Sequence, residues 1–396
     1  MNDLYVFTLF DRSSGKPRCT GIKDGKTIKI CDLYRPGAGK TIKKIHKIES
    51  AIKEIILSAN AQKRKIITSD FKSHLQHFNL PIDNREYNVY DVHLPDINPT
   101  DSKSKDIKII NKIISRISNI DTNEYQKVLA NSAVVYQHLQ NVGLSVNSIK
   151  EYPIWSQKTF SGRSKTTNFN IQGLSENYHV TQLGGNENDV LLMFDWICAD
   201  IRVASVISRD VTLDQAFRSS DPYTFLMQEI NEGSKVKLTR EESKRYLLKS
   251  INSMDFNSTA LSGVYPQLGN WIKNCNNTIL AGKPLRTVMG RKFRPTHAKN
   301  KLAVLNGVMQ GSVAHAMQIV LRQIWDKLPN SIVSEIHDCL IVSCPSDKDI
   351  IKSTIDIISP IMLNPFAGYV KHNPRFPLNV SIGKKWKEWK VYKTLR

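Results

Sequence analysis

This sequence of 396 residues predicts an α+β fold, on three observations. Val190-Leu-Leu-Met-Phe-Asp195 is an apolar run ending on a carboxylate, which reads as a buried strand with Asp195 at its rim. Ile332 to Val342 is a pair of apolar runs with His337-Asp338 at the junction, which reads as a strand–turn–strand with Asp338 at the bend. Apolar residues three and four apart over Ile42 to Ser58 and Ile107 to Leu139 predict helices.

Along the chain, Leu4 to Phe10 reads as a first strand, Gly21-Ile-Lys-Asp-Gly25 as turn chemistry, and Lys65-Ile-Ile-Thr68 as another short strand. Pro95 to Lys105, rich in Pro, Ser, Asp and Lys, is the candidate domain boundary. No repeat and no long low-complexity segment interrupts the chain, and the strong signals begin at about Val142. Thr239 with Glu242 forms a capping box, so a helix starts there. At about 100° per residue, Leu247, Leu248, Ile251 and Met254 share one face, and Arg245, Lys249, Asn252 and Ser253 share the other.

The net charge is +20, with a normal 23% of charged residues. That describes an ordered protein with a positive field, for which nucleic acid is the usual anionic partner. Lys, Ile and Asn are abundant throughout, so a biased host composition also accounts for part of the charge. Cys19, Cys31, Cys198, Cys275, Cys339 and Cys344 form no C-x-x-C pair, which points away from zinc and from a disulfide framework. Reduced thiols in a cytoplasm are the expectation. The N-terminus lacks a signal-peptide layout, and no uncharged apolar run reaches spanning length, so no membrane partner is expected.

Two carboxylates on neighbouring strand ends suit a pair of magnesium ions driving phosphoryl transfer. A cationic helix face opposite a core face suits a triphosphate. Asn306 and Gln310, four apart in Asn306-Gly-Val-Met-Gln310-Gly311, place two amides on one helix face, and amide donors fit the acceptors of the minor groove. Gly307 and Gly311 let a backbone approach closely. Each motif alone has a plainer reading: a capped strand, a solvated basic face, a glycine-containing core helix, an incidental His-Asp pair.

Together they carry a resemblance. Phe194-Asp195-Trp-Ile-Cys-Ala-Asp200-Ile-Arg202 resembles the D-Y-S-x-x-E-x-R motif of family A DNA polymerases, the bacterial DNA polymerase I type. Arg245 and Lys249-Ser-Ile-Asn252 resemble the R and K-x-I-N core of that family's fingers helix, Asn306 to Gly311 its N-x-x-V-Q-G helix, and His337-Asp338 its V-H-D-E. Upstream, Thr159-Phe-Ser-Gly-Arg163 through Asn170-Ile-Gln172 resembles T-G-R-x-S-S-x-x-P-N-L-Q. Tyr265 to Trp271, Met289-Gly-Arg291 and Gly383-Lys-Lys-Trp386 resemble further landmarks, and the likeness covers about residues 150–396.

The resemblance implies a right-hand palm built on an antiparallel sheet, with helical fingers, over residues 158–396. It implies a helical linker and reduced thumb over 101–157, and the strand–helix order of residues 1–100 is that of a ribonuclease H-like α/β exonuclease domain, read as a remnant. It implies a template-directed DNA polymerase extending a primer with deoxynucleoside triphosphates and two Mg2+ ions. Asp195 and Asp338 would hold the metals, with the backbone carbonyl of Trp196. Arg245 and Lys249 would hold the triphosphate, and Lys249 would also protonate the leaving group. Arg163, Asn170, Gln172, Asn306, Gln310, Arg291 and His337 would contact DNA, His337 at the primer terminus.

Departures modify these expectations. Asp200 replaces the Glu that blocks a ribose 2′-hydroxyl, Ser253 replaces the aromatic that stacks on the incoming base, and Asn257-Ser258 replaces Tyr-Gly. Tyr223 replaces a His near the triphosphate, where its hydroxyl would still donate a hydrogen bond, and Cys339 replaces the Glu of V-H-D-E. The exonuclease motif D-x-E reads Asp11-Arg12-Ser13, with Asp70 and Asp91 as its other carboxylates, so proofreading is expected to be lost. Thr159 follows Asn141 to Asn147 almost at once, which shortens the thumb and predicts low processivity with a replication partner in the cell. A phage or mobile-element replicase in the host cytoplasm fits the size. The competing readings are a catalytically weakened DNA-binding accessory protein and a single-subunit phage-type RNA polymerase. An HD phosphohydrolase would need further His and Asp ligands.

Overall fold

A computed structural model describes residues 4–10, 17–24, 27–32, 42–62, 66–68, 89–91, 124–146, 149–157, 159–173, 180–182, 188–232, 237–253, 259–297, 300–384 and 388–396. The chain divides into two compact units, Met1–His138 and Leu139–Arg396.

The first unit holds β1 (Leu4–Phe10), β2 (Pro17–Asp24), β3 (Thr27–Asp32), α1 (Ile42–Ala61), β4 (Ile66–Thr68), β5 (Val89–Asp91) and most of α2 (Glu124–Val142). Its sheet has the order β3-β2-β1-β4-β5, antiparallel from β3 to β1 and parallel from β1 to β5. The stretch from Gly21, expected as a turn, is strand through Asp24: Gly21 pairs with Phe7 on one side and Ile30 on the other. Two flanking strands satisfy its backbone, which outweighs the local turn preference of glycine. Asp11 and Asp70 lie outside the described residues, and so does the first half of the helix expected from Ile107.

The second unit opens with short ribbons: β6 (Leu144–Val146), β7 (Ile149–Glu151), β8 (Ile154–Ser156), β9 (Lys165–Thr167) and β10 (Val180–Gln182). Then come β11 (Asp189–Trp196), α3 (Ala199–Ser208), α4 (Val211–Ser219), α5 (Pro222–Asn231), α6 (Arg240–Ser253), α7 (Thr259–Val264) and α8 (Pro266–Leu280). After β12 (Leu285–Arg286) and β13 (Lys292–Phe293) come α9 (Lys301–Lys327), β14 (Ile332–Ile336), β15 (Cys339–Pro345), α10 (Lys348–Leu363), β16 (Leu378–Gly383) and β17 (Lys390–Leu395).

The main sheet has the order β14-β15-β11-β16-β17 and is antiparallel throughout. From Cys339 to Cys344 every residue of β15 is buried, which is why that strand reads as a continuous apolar run rather than an alternating one. The Trp196 indole N–H donates to the Met362 carbonyl at 2.8 Å, which ties the end of β11 to α10. Helices α3 to α9 share a second core that includes Ile201, Phe217, Leu247, Ile251, Tyr265, Ile272 and Val308. Asp210 pins its centre: its carboxylate caps α4 at Leu213 N and also accepts from Leu268 N, each at 2.9 Å. Among the described residues, no helix is long and apolar enough to cross a membrane.

Candidate active site

Strand β11 carries Asp195 to the rim of the sheet, opposite Cys339 on β15 and Asn379 on β16. Ile336 pairs with Cys339, so the hairpin between β14 and β15 has only His337 and Asp338 in its loop. His337 adopts φ 61°, the left-handed geometry such tight turns require. The Asp338 carbonyl accepts from Trp196 N at 3.3 Å, which fastens the turn to the end of β11. The two aspartates therefore sit side by side on neighbouring strand ends, as the sequence suggested.

Burial, and then the neighbouring charge of Asp338, push the Asp195 carboxyl up to about 7. Asp338 is also raised by burial, against the pull of Arg163 and His337. Asp200 is raised by burial and by Asp338, with Arg163 opposing. Partly dry anions that raise one another are a place where a divalent cation is favourable. Among the described residues no three His, Cys, Asp or Glu side chains gather into a metal cage. Magnesium on a triphosphate needs only one or two carboxylates, the remaining ligands being phosphate and water. The residues present fit that chemistry.

Arg163 reaches this acidic group from a tight loop. Its guanidinium lies 3.6 Å from the Asp200 carboxylate. The Thr159 hydroxyl donates to the Arg163 carbonyl at 2.6 Å and accepts from Gly162 N at 3.0 Å. Arg291 donates to the Phe160 carbonyl at 2.9 Å, and Gln318 donates to the Gly162 carbonyl at 3.2 Å. Helix α9 lets this loop approach because of its two glycines. A Cβ at Gly311 would stand 2.9 Å from the Ser161 carbonyl oxygen, and one at Gly307 would stand 2.5 Å from the Phe293 ring. Asn306 and Gln310 flank these glycines and are half-buried.

Arg291, expected on DNA, has its guanidinium in the loop contact and 4.9 Å from the centre of the Phe293 ring. Asn170 is exposed and its side chain accepts from the Thr166 hydroxyl at 3.5 Å. Gln172 donates to Ser164 at 2.8 Å, and Ser164 donates to the buried Glu335. Sequence reasoning passed over Ser164, Glu335 and Gln318. Glu335 did give a signal: an acidic residue inside the run Ile332 to Ile336 must have a partner if the run is buried.

Helix α6 starts at the expected capping box. Thr239 N and the Thr239 hydroxyl both meet the Glu242 carboxylate at 2.7 Å, and Glu242 N donates back to the hydroxyl at 3.3 Å. Leu247 and Ile251 are buried and Leu248 is half-buried, whereas Arg245 and Lys249 are exposed, so these residues fall on the faces predicted. The side chains of Asn252 and Ser253, and residues 254–258, lie outside the described residues. So does Trp386.

Tyr223 is only 5% exposed and belongs to the helical core. Its hydroxyl hydrogen-bonds to the Cys198 sulfur, and burial pushes its pKa up. Arg240 and Lys244 of α6 stand 5.4 and 5.9 Å from its ring centre. Donation to a triphosphate, as the resemblance implied, would require the hydroxyl to leave Cys198. Arg202, the last residue of the Asp195 motif, is buried and paired with Asp214 at 2.8 Å, and Asp214 also meets His372 at 3.0 Å. It braces the scaffold behind the site.

No family model matches the chain, and no curated protein matches it. Among solved structures, it is similar to the POL domain of Pol1 from M. smegmatis in complex with DNA primer-template and dNTP. That likeness has a TM-score of 0.62 at 12% identity, over 98% of this chain and 96% of that one. At so low an identity the likeness speaks for the backbone: this chain has a DNA polymerase fold.

Proposed function

We propose that the chain is a template-directed DNA polymerase that extends a primer 3′ end with deoxynucleoside triphosphates. The observation that carries this reading is the pairing of Asp195 and Asp338 on adjacent strand ends, in a fold like that of a domain solved with primer-template and dNTP. Two Mg2+ ions held by Asp195, Asp338 and the Trp196 backbone carbonyl would supply positive charge to offset that of the triphosphate and the departing pyrophosphate.

The chain's own residues divide the remaining work. Arg245 and Lys249 neutralise phosphate oxygens, and Lys249 gives a proton to the leaving pyrophosphate. Asn306 and Gln310 meet minor-groove acceptors, so pair shape is checked without choosing sequence. Arg163 and His337, beside Asp338, hold the primer end, and Arg291, Asn170 and Gln172 support the duplex. Asp200 and Ser253 set sugar and base selection, and Asp200 acts while paired to Arg163.

Residues 1–100 serve as an exonuclease remnant without proofreading. The segment between α2 and Thr159 holds short ribbons among its described residues, in keeping with a reduced thumb and a processivity partner. A phage replicase acting in the host cytoplasm suits these traits.

Primer extension tests the reading. The purified chain with magnesium should extend a primed template with deoxynucleotides and far less with ribonucleotides. Asp338→Ala should abolish extension, a loss of at least about 1,000-fold, while primer-template binding is largely kept. Extension that survives Asp338→Ala would defeat it, and a preference for ribonucleotides would move the chain to the RNA polymerases.

A further inference from the structure

We propose that Glu335 is a positioning residue that orients Gln172 toward bound duplex by way of Ser164. The proposal rests on the polymerase reading for the identity of the duplex. It adds a role for a buried carboxylate that the mechanism above does not use.

Glu335 lies in β14 and is 2% exposed, within a strand that is otherwise apolar apart from Ser334. Its Oε2 accepts from the hydroxyl of Ser164, which is 3% exposed. Ser164 follows Arg163 directly, and Glu335 precedes His337 by two positions. The Ser164 oxygen in turn accepts from Gln172 Nε2 at 2.8 Å. The relay thus joins β14, the Arg163 loop and the turn at Ile171–Gly173.

Its direction follows from chemistry. A carboxylate accepts and does not donate, so the Ser164 hydrogen is committed to Glu335. The Ser164 oxygen then has only lone pairs left, so Gln172 must present its N–H to it. With that end of the amide fixed, Gln172 keeps one N–H and its carbonyl oxygen for an outside partner. Those two groups complement a base-pair edge in the minor groove, which shows acceptors at purine N3 and pyrimidine O2 and a donor at guanine N2. Without the carboxylate, the serine hydroxyl is free to turn, and either end of the Gln172 amide satisfies it. The outward pattern would then scramble.

A double-mutant cycle on the full chain tests this, read as the dissociation constant for a primed DNA hairpin, with the melting temperature followed in parallel. Glu335→Leu and Gln172→Leu should each weaken binding by about tenfold, the worth of one oriented hydrogen bond. The double variant should be no weaker than either. Glu335→Gln, whose carbonyl still accepts from Ser164, should recover most of the loss. If Glu335→Leu melts too low to assay, Ser164→Ala breaks the same relay and should match Gln172→Leu.

Losses that multiply to about 100-fold, or unchanged affinity in a folded Glu335→Leu or Ser164→Ala protein, would overturn the proposal. Failure of the wild-type chain to extend primers would sink the polymerase reading alone, because the affinity cycle decides this one. A wild-type chain that binds no primed DNA would sink both.

Discussion

Helices α6 and α9 supply the proposed contacts to nucleotide and to duplex, and they are held in opposite ways. Nearly every residue of α9 from Val304 to Trp325 is buried. The Arg163 loop and Phe293 press on its glycines, and Ser312 and Gln318 bond out from it to Val288 N and the Gly162 carbonyl. Helix α6 is held along one stripe, Leu247 and Ile251, and by its capping box, while Arg245 and Lys249 stand in solvent. A surface meant to gauge the shape of a base pair must not move, so many elements fix it. A surface that supplies charge needs only to be nearby, so its cations are free of the packing.

Acid should break this contrast most strongly. His315, in the middle of α9, is 1% exposed, and burial together with the Arg291 charge holds its pKa down at about 3. The unfolded chain takes up a proton near pH 6.5 that the folded chain refuses. Stability is therefore full above pH 6.5 and falls as the pH drops toward 3. By pH 4 the loss from this residue should be about 3 kcal/mol. Urea titrations of wild type and His315→Gln across pH 4 to 7 check the sign: the variant should show the flatter profile. Equal slopes would mean that the imidazole is not the source.

Crowding α9 comes next. Gly311→Val aims new methyl groups at the backbone oxygen of Ser161, which has no rotamer to yield. It should cost about 2–3 kcal/mol and displace the Arg163 loop. An unfolding midpoint equal to wild type would show that the loop does not rest on the helix.

The smallest effect belongs to α6. Thr239→Ala removes one half of the capping box and should lower the melting temperature by only about 2 °C. A drop as large as that from Gly311→Val would erase the distinction between the two helices.

How legible each part was depends on how far apart its members lie in the chain. The capping box was readable because Thr239 and Glu242 are three residues apart and fulfil one local rule. The rim position of Asp195 and the bend at Asp338 were readable because apolar runs mark strands wherever they pair. The bond from Ser164 to Glu335 spans 171 positions and obeys no local rule, so only a folded chain reveals it. Arg163 beside Asp200 was hidden for the same reason: a long basic side chain has no periodicity that names its partner. The burial of Tyr223 was not legible because an amphipathic ring suits a ligand and a core equally well, and here its hydroxyl meets Cys198. The strand at Gly21 was missed because a local glycine signal was outvoted by two neighbouring strands.

The hairpin at His337 and Asp338 has a consequence for how this protein can vary. With Ile336 paired to Cys339, the loop has no spare residue, and one inserted amino acid would rotate Asp338 away from Asp195 or slip β15 against β11. Position 337 also excludes most side chains before any chemistry is considered, since its left-handed backbone tolerates Asn or Gly and penalises Val or Ile. Descendants of this gene can thus neither gain nor lose a residue across these two codons without parting the two carboxylates.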